Sequence, residues 1–405
     1  MPLLFAAVCA LMPGWASAQV LPSHPITFLG GRLTVSGDGA VSFSTSDHDT
    51  YFNYGGYQHD TLRLTRLGVA ATLRMGPRVT AVAEVRAEGE TTGGAWRGYP
   101  VSLFLRVRPL RASSLAVAAG IVQPVFGAFM QRRYGTGNLL IGYPLAYQYT
   151  TAVRADAIPA TADEVLQNHA RGWEPYYSIG AGYGVAGLPL VNATGWSPGF
   201  TVSAQRSNIS AAVAVTQGGL AAPGSVGWNG GWEGTGRVEL RPVVGLVVGL
   251  SGARGSFVDG RLSSTVATAV ANRDPRETAF GVDVEYSWGY WLLRMETIVS
   301  RRTYPAFRPP YLSDALTAVA IDGEVRYTIR PGLYAAARIG HLSFGTIDGS
   351  AGPASWDADV TRIETGLGYS LIRNVLVKAV YQYDRRDSTF RPSVSLGAAQ
   401  LVVRF

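Results

Sequence analysis

The chain of 405 residues is 47% hydrophobic but only 16% charged, which is well below the charged fraction of an ordinary soluble protein. Its formal net charge of +7 would suit a nucleic acid or another acidic surface. However, the arginines are scattered along the sequence and none of the usual nucleic-acid motifs is present. We therefore predict no nucleic-acid partner.

The first residues, MPLLFAAVCALMPGWASAQV, contain an apolar stretch that ends in the small residues 16–18, Ala-Ser-Ala. This pattern is typical of a secretory signal peptide, so we predict that residues 1–18 are removed and that 19–405 form the mature chain. Cys9, the single cysteine, lies in the removed segment. No later apolar stretch reaches the roughly 18 residues that a membrane-spanning helix needs. An exported chain of this kind is either secreted or forms a barrel in the outer membrane.

Residues 78–88, RVTAVAEVRAE, alternate between two kinds of side chain. The charged residues, among them Glu84 and Arg86, occupy even positions, whereas the odd positions hold only valine and alanine. Because strand side chains alternate with period two, this stretch predicts a strand that separates a polar from an apolar environment. Similar alternation recurs over residues 101–109, 280–288, 291–300, 317–329, 361–371, 375–384 and 394–405.

Short breakers and longer polar connections alternate between these segments. The breakers are MGPR, RPVVG, IRPG and LIRN, and the longer connections lie at 45–58, 89–99, 257–275, 303–313 and 345–356. Short turns at one end and long loops at the other are typical of an up-and-down transmembrane barrel. We predict an all-β fold, a single transmembrane antiparallel up-and-down β-barrel domain of about 16 strands.

A soluble β-sandwich also alternates polar and apolar residues, so a second signal is needed. Here the apolar faces carry many small residues, and aromatics collect at segment ends: Tyr286, Trp288, Tyr290, Trp291, Tyr381 and Tyr383. Aromatic girdles at strand ends are typical of a membrane interface. The polar faces combine opposite charges, as in Glu84 and Arg86, which suits a confined lumen. This pattern favours a barrel with a water-filled interior.

The C-terminal stretch GAAQLVVRF ends on Phe405, with Val403 and Leu401 on the same strand face. A terminal aromatic after alternating apolar residues resembles the assembly signal in the last strand of bacterial outer-membrane barrels. This resemblance implies that the barrel assembly machinery is a partner, and it places the protein in the bacterial outer membrane.

Residues 122–196 form the longest stretch without a clear strand pattern. Loops of this length are usually functional or disordered, and this one is too aromatic and apolar for a disordered tail. We hypothesise that it folds into the barrel as a constriction segment and places Arg132, Arg133, Arg154 or Arg171 near the passage. The alternatives are an extracellular cap or a contact between subunits.

The stretch AGIVQPVFGAF, residues 119–129, resembles the start of the constriction loop in phosphate-selective porins of the O/P type. The matching positions are Gly120, Pro124, Phe126 and Gly127. The resemblance implies a sixteen-stranded channel that passes anions and is usually a homotrimer. Candidate pore-lining residues are Arg86, Glu84, Arg106, Arg108, Arg132, Arg133, Arg154 and Arg171. Among these, Arg106, Arg108, Arg132 and Arg133 have no acidic neighbour in the sequence.

Enzyme and metal motifs are weak. GWSPG, 195–199, fits the G-x-S-x-G pattern, but Pro198 removes a backbone N–H that an oxyanion hole needs. GYGVAG, 182–187, fits G-x-G-x-x-G without a surrounding βαβ unit. SDHDTYFN, 46–53, could bind calcium through Asp47 and Asp49, although a solvated turn explains it as well. The five histidines are widely dispersed. We predict no catalytic residues, no metal and no cofactor.

The sequence thus predicts an outer-membrane channel, a porin, for passive diffusion of small polar and preferentially anionic solutes. Its expected partners are outer-membrane lipid and lipopolysaccharide, the barrel assembly machinery and the small-solute cargo. The alternatives are an outer-membrane β-barrel hydrolase, or a non-conducting barrel for adhesion or structure.

Overall fold

The computed structural model describes residues 24–46, 61–90, 96–110, 114–133, 135–181, 186–193, 195–224, 231–260, 262, 275–312, 315–389 and 391–405. The predicted signal peptide and the candidate calcium ligands Asp47 and Asp49 lie outside these residues. The strands of the main sheet are β1 Leu33–Ser46, β2 Thr61–Arg74, β3 Val79–Glu90, β4 Arg97–Val107, β5 Ala116–Val122, β6 Ser197–Arg206, β7 Ile209–Gln217, β8 Trp232–Leu240, β9 Leu246–Ser256, β10 Arg276–Trp288, β11 Trp291–Arg302, β12 Leu316–Arg330, β13 Leu333–Phe344, β14 Val360–Ile372, β15 Val375–Arg386 and β16 Ser393–Arg404.

These strands form one closed antiparallel barrel. Each strand pairs with the next along the chain, and β16 returns to pair with β1, for example Val402 opposite Ala40. A three-residue strand, Ile26–Phe28, pairs with the start of β1. Closure leaves no open sheet edge, so every strand finds hydrogen-bond partners within the sheet. The predicted sixteen-stranded up-and-down barrel is confirmed.

The two ends of the barrel differ in their connections. Each connection from an even-numbered strand to the next is short, such as Ser207–Asn208, Gly289–Tyr290 and Arg373–Asn374. The connections from odd-numbered strands include all five of the predicted long loops. We call the first rim the turn end and the second the loop end. Between β13 and β14, the loop end carries a small hairpin of strands Thr346–Gly349 and Gly352–Ser355.

The wall is apolar outside and polar inside, the reverse of a soluble protein. On β10, Phe280 is 61% exposed and its outward neighbour Val282 is 48% exposed, whereas Asp283 is only 5% exposed. The same alternation follows β11, where Met295 is exposed and Glu296 is buried. Apolar side chains facing away from the molecule are stable when the surroundings are hydrocarbon. The alternation of polar and apolar residues along the strands, first seen at residues 78–88, therefore separates lipid from the barrel interior.

One residue departs from the predicted alternation. The sequence puts Val101 on the same face as Leu103, yet Leu103 is 55% exposed and Val101 is fully buried. The pairing of β3 with β4 shifts by one residue here, because Glu84 faces Ser102 while Val85 faces Pro100. This β-bulge turns Val101 away from the outer face and brings Tyr99 into line with the inward-facing Arg86.

The predicted aromatic residues at the strand ends are exposed on the outer face. Trp291 packs on Tyr327 with a ring-centroid distance of 4.6 Å, at the turn end of β11 and β12. The last residue, Phe405, exchanges two backbone hydrogen bonds with Gly37 of β1 (2.9 and 3.1 Å). Leu401 is also exposed outward, as predicted for the last strand. No helix among the described residues is long and apolar enough to cross a membrane.

Candidate functional site

The described residues of 123–196, between β5 and β6, lie against the inner face of the barrel wall; we call them the inner segment. They contain helix α1, Leu145–Gln148, and helix α2, Ala162–Gln167, whose first turn is capped by Thr161. The apolar side chains predicted for this stretch form a buried cluster with inward-facing alanine and isoleucine residues of the wall. Its members include Phe126, Phe129, Met130, Tyr147, Val153 and Val165.

The start of the inner segment crosses from β8 to β11 through polar contacts, the first of which is the N–H of Val125 donating to Thr235 Oγ1 (3.0 Å). The amide N–H of Gly127 donates to Ser251 Oγ (3.1 Å), and that of Ala128 donates to Glu296 Oε1 (2.7 Å). The hydroxyl of Tyr147 donates to the same carboxylate oxygen at 2.9 Å. Gly127 has φ +64°, and a Cβ there would lie 2.1 Å from the Tyr147 hydroxyl, so only glycine fits.

The middle of the inner segment is held by cations of β13 and β15. Arg338 donates from Nη1 to the carbonyl of Gly142 at 2.8 Å. Lys378 Nζ donates to the carbonyls of Asn138 (2.6 Å) and Leu140 (3.0 Å). Glu364 on β14 accepts the N–H of Gly142 at 2.8 Å. These bonds pair buried backbone groups that would otherwise be costly to desolvate.

A third group of contacts holds the remainder of the inner segment at the loop end. Asp357, which lies between the small hairpin and β14, is fully buried. Its carboxylate accepts the N–H groups of Ala152 (2.7 Å) and Ala170 (2.9 Å). Burial raises the pKa of the Asp357 carboxyl above its usual value, against the lowering effect of these bonds. Arg386 donates to the carbonyl of Ala170 at 2.9 Å.

The inner segment leaves a narrow space beside β1–β4, a cavity of about 30 Å³. Wall and segment both contribute charged and aromatic side chains to it: Asp38, Arg66, Arg86, Glu88, Tyr99, Arg133, Tyr143 and Trp196. We call this cavity the eyelet. On its wall side, Arg86 pairs with Asp38 (3.0 Å) and Arg66 with Glu88 (3.2 Å). On its segment side, the guanidinium of Arg133 lies 4.7 Å from the ring of Trp196.

Wider cavities lie toward both rims. At the turn end, a cavity of about 640 Å³ is lined by Arg106, Arg108, Arg237 and Glu239 among others. On the opposite side of the barrel, a second turn-end cavity of about 260 Å³ is lined by Arg326, Arg373 and Arg404 among others. At the loop end, Arg171 and His169 line a cavity of about 770 Å³. The eyelet is therefore the smallest of these cavities.

The predicted pore-lining arginines are placed in different surroundings. Arg106 and Arg108 line the turn-end cavity, and Arg86 and Arg133 line the eyelet. Glu84 pairs with Arg86 at 3.2 Å. Arg171 is exposed at the loop end.

Two predicted residues differ from the expectation. Arg154 is fully buried and forms an ion pair with Asp156 (2.9 Å), so its guanidinium does not face these cavities. Arg132 has no acidic neighbour in the sequence, yet it pairs with Glu285 of β10 at 3.4 Å. Local sequence cannot show a carboxylate contributed by a distant strand.

Several lining residues were missed by the sequence analysis. Arg66, Tyr99 and Trp196 line the eyelet, and Arg338 and Lys378 hold the inner segment. Of these residues, Lys378 lies in a segment whose alternation was recognised, residues 375–384, and it has the inward position that alternation assigns there. That signal was therefore present, but alternation alone does not say which inward residues a folded-in segment approaches.

The weak enzyme motif has a structural explanation. Ser197 begins β6, is buried, and its Oγ accepts the N–H of Gly224 at 3.0 Å. Among the described residues, no group of three or more histidine, cysteine, aspartate or glutamate side chains could hold a metal ion.

Solved structures of outer-membrane proteins have a similar fold. OmpF of Salmonella typhi in complex with daunomycin is 11% identical, with a TM-score of 0.55 over 94% of this chain and 100% of that one. The outer membrane channel DcaP of Acinetobacter baumannii is 12% identical, with a TM-score of 0.54 over 94% and 100%. A loop L8 deletion mutant of OmpT, an outer membrane protein of Vibrio cholerae, is 12% identical, with a TM-score of 0.54 over 92% and 100%.

At these identities the similarity is one of fold, and the chain has a porin-type barrel. No family model matches the chain, and no curated protein matches it.

Proposed function

We propose that this chain is a porin of the bacterial outer membrane that lets small polar solutes diffuse passively, with a preference for anions. The observation that carries the proposal is the eyelet, a narrow charged space between the inner segment and β1–β4 within a closed barrel. Wider cavities at both rims give it the form of a pore with a constriction. The fold shared with an outer membrane channel supports the same function and location.

The anion preference rests on the turn-end cavities rather than on the eyelet. At the eyelet, Arg66 and Arg86 are paired with carboxylates, so their fields largely cancel. The cavity beside Arg326 contains three arginines and no carboxylate among its lining residues. A cavity lined by one sign of charge raises the local concentration of the opposite ion. The resemblance at Gly120, Pro124, Phe126 and Gly127 to anion-passing porins supports the same preference.

Single-channel recording in planar bilayers tests the proposal. We expect discrete conductance steps from the wild type and larger steps from Trp196→Ala, because the indole ring lines the eyelet. Trp232→Ala is the matched control, since Trp232 is 60% exposed on the outer face. Its conductance should equal that of the wild type.

The same bilayers in a salt gradient report charge preference. The reversal potential should indicate anion selectivity, and Arg326→Gln should reduce it. A wild type that inserts without conductance would favour the alternatives of a hydrolase or a non-conducting barrel. Equal conductance of Trp196→Ala and Trp232→Ala would instead reject the eyelet as the constriction.

A further inference from the structure

The outer face of the barrel is free of acidic residues along the described strands. Alternation places every aspartate and glutamate of these strands on the inner side, whereas the outward positions carry a few cationic residues. Among the residues whose side chains the structure describes, the outward basic residues at the loop end are Arg254, Arg276, Arg301, His341 and Arg385, all exposed. They lie within a few residues of the loop-end terminus of their strands, beyond the apolar band.

Two of these arginines lie on either side of the same threonine, because both are paired with it in the strand register. Arg254 on β9 and Arg301 on β11 are both register partners of Thr278 on the intervening strand β10. Adjacent strands are separated by about 4.8 Å, so the two Cα atoms lie about 10 Å apart with a hydroxyl between them. Long arginine side chains can converge on one small anion across that distance.

The arrangement recurs four strands further round the wall. Thr361 on β14 has His341 and Arg385 as its register partners on β13 and β15. His341 Nδ1 lies 2.9 Å from Thr361 Oγ1. Both trios therefore place a hydroxyl between two basic side chains at the same rim.

The outward arginines differ from the inward ones in their partners. Many inward guanidiniums pair with carboxylates, as in Arg237 with Asp283 (2.5 Å) and Arg362 with Asp384 (2.6 Å). Among the described residues, Arg254, Arg301 and Arg385 have no carboxylate partner. A charged side chain on the lipid face costs free energy that falls to nearly zero at the interface, where headgroups supply counter-charges. The planar guanidinium fork also matches the geometry of phosphate oxygens.

We propose that the Arg254–Thr278–Arg301 trio binds a phosphate group of lipopolysaccharide, the phosphorylated glycolipid of the outer leaflet, and that the His341–Thr361–Arg385 trio is a second such site. The inference rests on the proposed function in one respect, namely that the loop end faces the cell exterior, as in other outer-membrane barrels. The acid-free wall is the charge complement of that phosphorylated surface.

Native mass spectrometry of the detergent-solubilised full chain tests this site, with diphosphorylated lipid A as the probe. We expect Arg254→Gln/Arg301→Gln to weaken binding by about tenfold or more. Arg206→Gln is the matched control, because Arg206 is exposed and is the register partner of the outward Ile209 at the opposite rim. Its binding should equal that of the wild type. Wild-type chain should bind the dephosphorylated lipid as weakly as the double variant binds the diphosphorylated one.

Three results would overturn the inference. The first is that the double variant binds diphosphorylated lipid A as tightly as the wild type does. The second is that the wild type binds the dephosphorylated lipid as tightly as the diphosphorylated one. The third is that the wild type binds phosphatidylglycerol as tightly as diphosphorylated lipid A, through the same arginines. The last result would mean a general anionic-headgroup contact. Bilayer conductance of the double variant separates this question from the proposed function, since its channel steps should match those of the wild type.

Discussion

Arginine has a different role on each side of this barrel wall. Inside, Arg338 and Arg386 donate to backbone carbonyls of the inner segment, and Arg86 pairs with Asp38. Outside, Arg254 and Arg301 lie at the rim without carboxylate partners among the described residues. The formal charge of +7 therefore says little about the passage. Its effect depends on which face and which rim each guanidinium occupies.

Asp357 gives a prediction for the pH dependence of stability. Burial raises the pKa of this carboxyl in the folded state, so the folded protein holds the proton more tightly than the unfolded chain. Stabilisation from this group is fully present below the unfolded pKa of about 3.9 and is lost as pH rises through the folded pKa. The melting temperature of the wild type minus that of Asp357→Asn should therefore decrease as pH increases above about 4.

Asp163 is the control for this measurement. Its carboxylate accepts the backbone N–H of Ser350 (2.8 Å) and the Ser350 hydroxyl (2.5 Å), and these bonds lower its pKa. Any contribution from Asp163 is complete above about pH 4. The melting temperature of the wild type minus that of Asp163→Asn should therefore not change with pH from about pH 5 upward. A flat difference for Asp357→Asn as well would contradict the assigned direction of its pKa shift.

Strands and inner segment differ in how much the sequence reveals about them. Period-two alternation is a local property, so it located β10–β12 and β14–β16 to within a few residues and assigned their faces. It failed at Val101, where a bulge inserts one residue without a local signal. The sequence located the inner segment by its length and aromatic content. Its anchors could not be predicted, because Lys378 and Asn138 are 240 residues apart.

Lys378 is a natural reporter of the inner segment. It is the single lysine of the chain, it is 1% exposed, and its ammonium donates to Asn138 and Leu140. We predict slow acylation of Lys378 by an amine-reactive ester in the folded wild type. Glu364→Gln should accelerate it several-fold, because the N–H groups of Ile141 and Gly142 lose a charged acceptor. Peptide mass spectrometry measures the rate.

Glu239→Gln provides the matched control for this labelling. Glu239 is also an inward glutamate in ion pairs, with Arg237 and Arg241, but its partners are on the wall. We expect the same Lys378 labelling rate as in the wild type. If both variants accelerated labelling equally, the carboxylate of Glu364 would have no specific role in holding residues 138–142.

At the scale of the whole molecule, the outer wall has two different sides. At the turn end, β10–β14 carry exposed aromatics: Tyr286, Trp288, Tyr290, Trp291, Tyr327 and Tyr369. Apart from Arg206, the corresponding outward residues of β2–β7 that the structure describes are small or aliphatic, such as Leu73, Val79 and Ala204. Aromatic belts mark surfaces that meet lipid headgroups. We propose that β10–β14 face lipid and that β2–β7 face a second and third copy of the chain.

This proposal predicts opposite effects for one substitution on the two sides. Val85 on β3 and Val282 on β10 are both outward, central in their strands and about half exposed, at 54% and 48%. Val85→Trp should dissociate the trimer in mild detergent, because an indole cannot fit against closely packed small residues. Val282→Trp should leave the trimer intact, because detergent or lipid can adapt to a larger apolar side chain. Light scattering after size exclusion gives the mass. A monomeric wild type, or dissociation by Val282→Trp alone, would show that β2–β7 are not where copies of this chain meet.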